Sequence, residues 1–204
     1  METTTRPTEH LALKFGEDSF TEQTTRDGIL TLWLPLDKLK EVLRYLKSGI
    51  DQPYPLLYDI SAIDERSRQI RNGYPSRNFT LVYHLYSFGR NSFLRLKCAL
   101  EGDYPTVPSI ISLWKNASWY EREVYDMFGI HFDGHPNLRR ILMPRTWVGH
   151  PLRKEHPARA TEMGPFRLYD EKVDREQAML QFKPEEWGMV RHSEESDFMF
   201  LNIG

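Results

Sequence analysis

The chain has 204 residues, 40% of them hydrophobic and 13% aromatic, and a formal net charge of -2 at pH 7. This supports one real core with an appended segment and gives no general case for binding nucleic acid or an anionic membrane. The longest apolar runs, such as GILTLWLPL from Gly28, are far too short to span a bilayer, and polar ETTTRPTEH after Met1 predicts no secretory signal.

From Glu9 to Phe15 the pattern predicts a short amphipathic helix stopped by Gly16. Ser19 to Thr25 and Ile29 to Leu34 are β-rich, and Arg26-Asp27-Gly28 between them signals a hairpin. Pro35 opens a helix in which Leu36, Leu39, Val42, Leu43 and Leu46 recur at helical spacing, with Gly49 at its end. Leu56 to Ile63 reads as a strand, followed by the charged, turn-rich loop DERSRQIRNGYPSR. Phe79 to Phe88 and Phe93 to Leu100 alternate, predicting a second hairpin around Gly89-Arg90-Asn91. The single Cys98 reads as a half-buried strand thiol in a reducing cytoplasm; alone it holds no iron–sulfur cluster or structural zinc and closes no internal disulfide. Two short helices are expected from Ser109 to Lys115 and from Ser118 to Phe128, the second stopped by Gly129. Together these elements predict an α+β fold, a two-layer domain with one mixed sheet and helices on one face, over residues 1–133.

After about Gly134 the periodicity is lost. Pro136, Pro144, Pro151, Pro157 and Pro165 recur, while Leu138, Ile141, Leu142, Met143, Trp147, Leu152 and Phe166 supply more apolar mass than simple disorder usually has. Ordering roughly forty residues costs on the order of 1–2 kcal/mol each in backbone entropy, which burial must offset. The pattern favours a long extended arm over residues 134–180, laid on a partner rather than on its own domain.

Glu121, Glu123 and Asp126 offer an acid cluster, with Glu123 and Asp126 spaced to share a helix face. Arg122 is available to neutralise them, and helix-start acids are stabilised without catalysis, so a structural or interface role is preferred. His131 and His135 have a zinc-protease spacing but lack the HExxH glutamate, and Asp133-Gly134-His135-Pro136 reads as a tight turn. Arg139, Arg140, Arg145, Arg153, Lys154 and Arg159 form a basic strip suited to a protein interface, since regular base-stacking aromatics are missing. No Gly-rich phosphate loop, GxSxG or CxxC occurs.

The run EREVYDMFGIHFDGHPNLRRIL, from Glu121 to Leu142, resembles the diagnostic motif of the C-type subunit of respiratory complex I, the proton-pumping NADH:quinone oxidoreductase. Its matching positions are Glu121, Arg122, Glu123, Asp126, Gly129, Ile130, Phe132, Gly134, His135, Pro136, Leu138, Arg139, Arg140, Ile141 and Leu142, and the stretch from Trp147 to Lys154 also resembles the family. The resemblance implies a peripheral subunit on the cytoplasmic side of a bacterial inner membrane, with no redox group of its own. FMN, iron–sulfur clusters and quinone would belong to the rest of the complex. The arm would embrace a D-type partner among the other peripheral-arm subunits. A catalytic role is expected of none of these residues, and no metal site or nucleic acid partner is expected.

The last stretch, FKPEEWGMVRHSEESDFMFLNIG, resembles the join of fused C–D polypeptides, so residues 181–204 read as a linker and opening strand of a D-type domain. Two other readings remain: the corresponding subunit of a membrane-bound nickel–iron hydrogenase, and a free-standing RNA-binding α+β domain.

Overall fold

The computed structural model describes residues 5–67, 74–75, 77–145 and 147–156. Helix α1 (Pro7–Phe15) starts before the predicted Glu9 because Pro7 supplies the fixed φ of a first helical turn. Gly16 ends it, and a short 3-10 turn over Glu17–Ser19 leads to strand β1 (Thr21–Gln23). Strand β2 (Leu30–Leu34) pairs with β1 antiparallel, as the Arg26-Asp27-Gly28 signal predicts. Asp27 closes that turn by accepting from the Thr25 hydroxyl at 2.6 Å and the Ile29 N–H at 3.2 Å.

Helix α2 (Leu36–Ser48) buries Leu39, Val42, Leu43 and Leu46, four of its five predicted apolar positions, while Leu36 is half-buried. Strands β3 (Leu56–Asp64), β4 (Phe79–Ser87) and β5 (Ser92–Leu100) follow within a residue of expectation. The five strands form one sheet in the order β1-β2-β5-β4-β3. All neighbours are antiparallel except β2 and β5, so the sheet is mixed.

Strand alternation sorts this sheet into two faces. Leu32, Leu34, Leu81, Leu85, Leu94 and Leu96 turn inward and share one core with α2 and with the next helix. That helix, α3 (Ala117–Phe128), packs along β3. The opposite face carries Arg95, Lys97 and His84, with Trp33 stacked on Tyr74 at 6.4 Å.

Two features depart from expectation. The predicted helix from Ser109 to Lys115 is absent. Strand β6 (Thr106–Pro108), just before that segment, pairs parallel with β7 (His131–Asp133), and turns and irregular chain fill residues 109–115. The Ser109 N–H donates to the Asp133 carbonyl at 2.8 Å, so a tertiary pairing outweighs local helical spacing.

The second departure concerns the segment after Gly134. The chain divides into units Met1–Gly164 and Pro165–Gly204, and every described residue lies in the first. Residues 134–145 and 147–156 are hydrogen-bonded to α3, to the end of β3 and to Asp103 of their own domain. The two units do not divide at the expected 133/134, and the expected preference for a partner over the parent domain is corrected for these residues. They form a strap on the parent domain. The remainder of the predicted arm, Arg159 and the 181–204 linker and strand lie outside the described residues.

Leu96 is fully buried on the central strand β5, whereas Leu13 is 86% exposed on α1. Leu96→Ala should cost about 2–5 kcal/mol in urea unfolding, and Leu13→Ala should stay within about 0.5 kcal/mol of the parent. Equal effects would contradict this core assignment.

Candidate functional site

Helix α3 presents its charged residues in three directions. Glu121 continues the buried stripe of Ala117, Val124 and Phe128 and is itself 0% exposed. Its Oε1 accepts from the Ile110 N–H at 2.7 Å, while Oε2 has no hydrogen-bond partner among the described residues. Burial pushes the Glu121 carboxyl above its usual range, and the Ile110 N–H and Ser109 hydroxyl offset this only in part. Glu123 points to solvent, and Asp126 is fully buried under the strap. The expected shared face of Glu123 and Asp126 is therefore not found, and the three acids do not form a cluster. Since α3 begins at Ala117, none of them lies in its first turn.

Asp126 is the centre of the arrangement. Its Oδ2 accepts from three successive backbone N–H groups, those of Ile141, Leu142 and Met143, at 2.9, 2.8 and 2.8 Å. Its Oδ1 accepts from Arg140 Nη1 at 2.7 Å. Burial pushes this carboxyl upward, but the Met143 N–H, the Arg140 guanidinium and the other two N–H groups outweigh it, and the net shift is downward. Four donors on one buried carboxylate hold it ionised.

Arg122 secures the same strap from one turn earlier, donating from Nε to the Arg139 carbonyl and from Nη2 to the Arg140 carbonyl, each at 3.1 Å. The Asp126 carbonyl accepts from His150 Nδ1 at 2.9 Å, which puts that ring's proton on Nδ1. Leu138 and Met143 pack against the core.

Gly129 serves this junction twice. Its φ of +74° suits glycine, and a Cβ would lie 2.6 Å from His150 Nε2 and 2.8 Å from Arg153 Nη2. Gly134, at φ +77°, has open space around it, so only its backbone conformation matters. His135 Nδ1 accepts from the Asn137 N–H at 3.0 Å, and Nε2 faces the Ser118 carbonyl at 3.3 Å, so the ring is a neutral Nε2–H tautomer locking the turn. Pro136 is exposed in that turn, and Trp147 stacks on His156 at 5.8 Å.

A second buried carboxylate, which sequence reasoning did not single out, holds the far end of the strap. Asp64 accepts from the Arg66 guanidinium and N–H and, across ninety positions, from the Lys154 N–H at 2.9 Å. Burial raises its pKa, yet Arg66 and these N–H groups bring it down to about 2. Arg66 also pairs with Glu155. Arg153 is buried beside the rings of Phe79 and Tyr104, at 5.3 and 4.3 Å, and donates to the Phe128 and Asp103 carbonyls. Two of the arginines expected to form an outward interface strip, Arg140 and Arg153, are thus turned inward. Asp64 could have been found from sequence, because an acid at the inward end of Ile60, Ala62 and Asp64 breaks the strand's alternation.

The geometry can clamp a strap to a helix and a strand. Among the described residues, no three His, Cys, Asp or Glu side chains gather where a metal ion could be held.

Residues 32–162 match the family described as "Respiratory-chain NADH dehydrogenase, 30 Kd subunit". The chain is 59% identical over 194 residues to the C/D subunit of NADH-quinone oxidoreductase from Methylococcus capsulatus, covering 95% of this chain and 33% of that protein. It is 52% identical over 191 residues to the protein of the same name from Pseudomonas aeruginosa, covering 94% and 32%. The chain therefore spans about a third of the length of the curated relatives it matches. Among solved structures it is similar to the trypsin-resistant fragment (1-134) of Nqo5, with a TM-score of 0.56 and 28% identity over 65% of this chain and 100% of that one. A chain of the membrane-bound sulfane sulfur reductase, an archaeal respiratory membrane complex, shares the fold at a TM-score of 0.50 and 21% identity over 95% and 96%.

Asp126→Ala should destabilise the domain by about 3–5 kcal/mol, because it strands Arg140 and three N–H groups. Asp64 and Asp126 both have folded pKa values below the unfolded value of about 3.9. Their stabilisation is therefore present above that value and lost as pH falls through the folded values, down to about 2 for Asp64. Urea midpoints followed from neutral pH into this window should fall steeply for the parent and less steeply for Asp126→Asn; equal slopes would contradict the assignment. Glu121 has the opposite sign, its raised folded pKa making ionisation a cost as pH rises. Glu121→Gln should match or exceed the parent's stability at neutral pH and lose that advantage in acid.

Proposed function

The chain belongs to the family of the 30 kDa subunit of respiratory-chain NADH dehydrogenase, and from that premise we propose that it is a non-redox structural subunit of a proton-translocating NADH:quinone oxidoreductase. In the peripheral arm it braces a D-type protein or fused domain beside the quinone site. The parent complex carries electrons from NADH through FMN and iron–sulfur centres to quinone, and this chain contributes by position.

One observation carries the reading. Glu121, Arg122, Asp126 and Arg140 of the signature are spent on the chain's own fold, with Asp126 saturated by Arg140 and three N–H groups. Such groups hold a shape; they are not poised over a substrate. The double designation C/D of the relatives supports a D-type partner. No helix among the described residues is long and apolar enough to cross a membrane. The reading places the chain peripherally on the cytoplasmic side of a bacterial inner membrane, held there by its neighbours. It also disfavours the RNA alternative, since Arg140 and Arg153 are engaged with carboxylate and carbonyl oxygens of the fold.

Arg139→Ala with Arg140→Ala in the full-length polypeptide should lower quinone reduction by NADH in membranes roughly tenfold, equivalent to about 1.4 kcal/mol of lost assembly. NADH oxidation by the flavin module, read with an artificial acceptor, should persist. Glu17→Gln, at an exposed position, should alter neither. Normal assembly and quinone reduction in the double variant would overturn the bracing role.

A further inference from the structure

The sheet face turned away from the helices changes character along its length. At the end near the β4–β5 connection, Leu56, Tyr86 and Phe93 are cross-strand neighbours. A β-bulge between Leu57 and Asp59 re-aims Tyr58, whose ring meets Phe93 edge-on at 5.2 Å. Tyr86 lies 4.9 Å from Phe93 and 5.2 Å from Phe88. Four rings are thus contiguous, with Tyr58 57% and Phe88 69% exposed. Single exposed aromatics are ordinary, but a contiguous aromatic ridge marks an interaction surface.

The neighbouring rung supplies charge. Arg95 Nε donates to His84 Nε2 at 2.8 Å, and Arg95 Nη2 pairs with Asp27 at 2.7 Å. Accepting at Nε2 leaves the His84 proton on Nδ1, facing Asp59 Oδ2 at 3.7 Å. Burial and Arg95 depress the His84 pKa, so the ring is neutral. Arg95 is committed to Asp27, and Asp59 keeps a carboxylate with no permanent cation beside it among the described residues. Helix α3 packs along the edge strand β3, and the pKa of its Tyr120 hydroxyl is raised first by burial and then by the carboxylates of Asp59 and Glu123. Glu123 is exposed and makes no ion pair among the described residues. An aromatic ridge bordered by two unneutralised carboxylates is complementary to an apolar side chain next to a cation, because a neutral or acidic occupant would desolvate Asp59 without compensation.

We propose that this ridge docks a neighbouring protein segment that lays an apolar side chain on Tyr58, Phe88 and Phe93 and sets an arginine or lysine against Asp59 and Glu123. The surface is built from β3, β4, β5 and α3, not from the strap, so it is a separate contact; it rests on the reading of the chain as one subunit of a larger assembly.

The test uses the full-length polypeptide in its native complex, with benzoylphenylalanine at Phe88 as the photoreactive probe. Irradiation should yield a cross-linked peptide from another subunit that carries arginine or lysine beside apolar residues. Tyr58→Ser with Phe88→Ser, and separately Asp59→Arg with Glu123→Arg, should each lower retention of the polypeptide in the complex about tenfold. Reversing the cation of the cross-linked segment should restore retention of the Asp59→Arg, Glu123→Arg variant. Undiminished retention, no cross-link, a cross-link to a second copy of this chain, or one to an acidic segment would each overturn the docking surface alone. A parent polypeptide that co-purifies with no other subunit would instead overturn the assembly reading beneath it.

Discussion

The buried carboxylate of Asp126 is the constraint from which the described structure after α3 takes its shape. A fully buried anion is tolerated only where several donors replace its hydration. Here Arg140 provides a charge, and three consecutive N–H groups provide the rest. Residues 141–143 are thereby given an acceptor that regular secondary structure would otherwise have to supply. The strap thus needs no helix or strand of its own to satisfy this part of its backbone. Removing the carboxylate would leave a cation and three donors without their acceptor at once.

The other end of the strap is held by the same chemistry on a different element. Asp64 closes β3 and receives Lys154 N–H and the Arg66 fork. Between the two acids, Arg153 passes under the chain to the Phe128 carbonyl while its guanidinium lies beside Phe79 and Tyr104. Gly129 is required where these groups converge, because His150 and Arg153 occupy the volume that a side chain would take. The strap is therefore anchored at two points, one on α3 and one on the sheet. Such an anchorage fixes residues 141–143 and 153–154 to the orientation of the core.

How much of this was legible in the sequence follows from the range of the interactions. Alternation located β4 and β5, and the leucine stripe located α2, because those patterns repeat within a few residues. The parallel pairing of β2 with β5 leaves no local trace. Strands β6 and β7 are three residues each, too short to display a period, and the helical spacing after Pro108 was correspondingly misleading. The strap read as a partner-seeking arm because its order comes from side chains of another element. Of its apolar residues, Leu138 and Met143 find a surface on the core of their own domain, whereas Leu142, Val148 and Leu152 remain exposed. Glu121 was more legible than its charge suggested: Ala117, Glu121, Val124 and Phe128 lie on one helical stripe, so the acid's inward direction was written in its spacing.

A motif rich in acids, arginines and histidines invites a catalytic interpretation, and the engagement of several of its groups within the fold supports the proposed structural one. Catalytic groups keep a proton, a lone pair or a coordination position available to a substrate. Asp126 has its oxygens engaged by donors of its own chain, His135 has both nitrogens committed to Asn137 and Ser118, and Arg122 has its fork on two carbonyls. Glu121 faces the core, where burial favours its neutral form. Glu123 of α3 is exposed, and Asp59 of β3 lies half-buried beside the Tyr58 bulge of the outer sheet. Charge is thus divided between two tasks: within the fold it anchors an irregular strap, and on the surface it gives an aromatic ridge a sign. That division suits a subunit whose proposed contribution is to hold its neighbours in register.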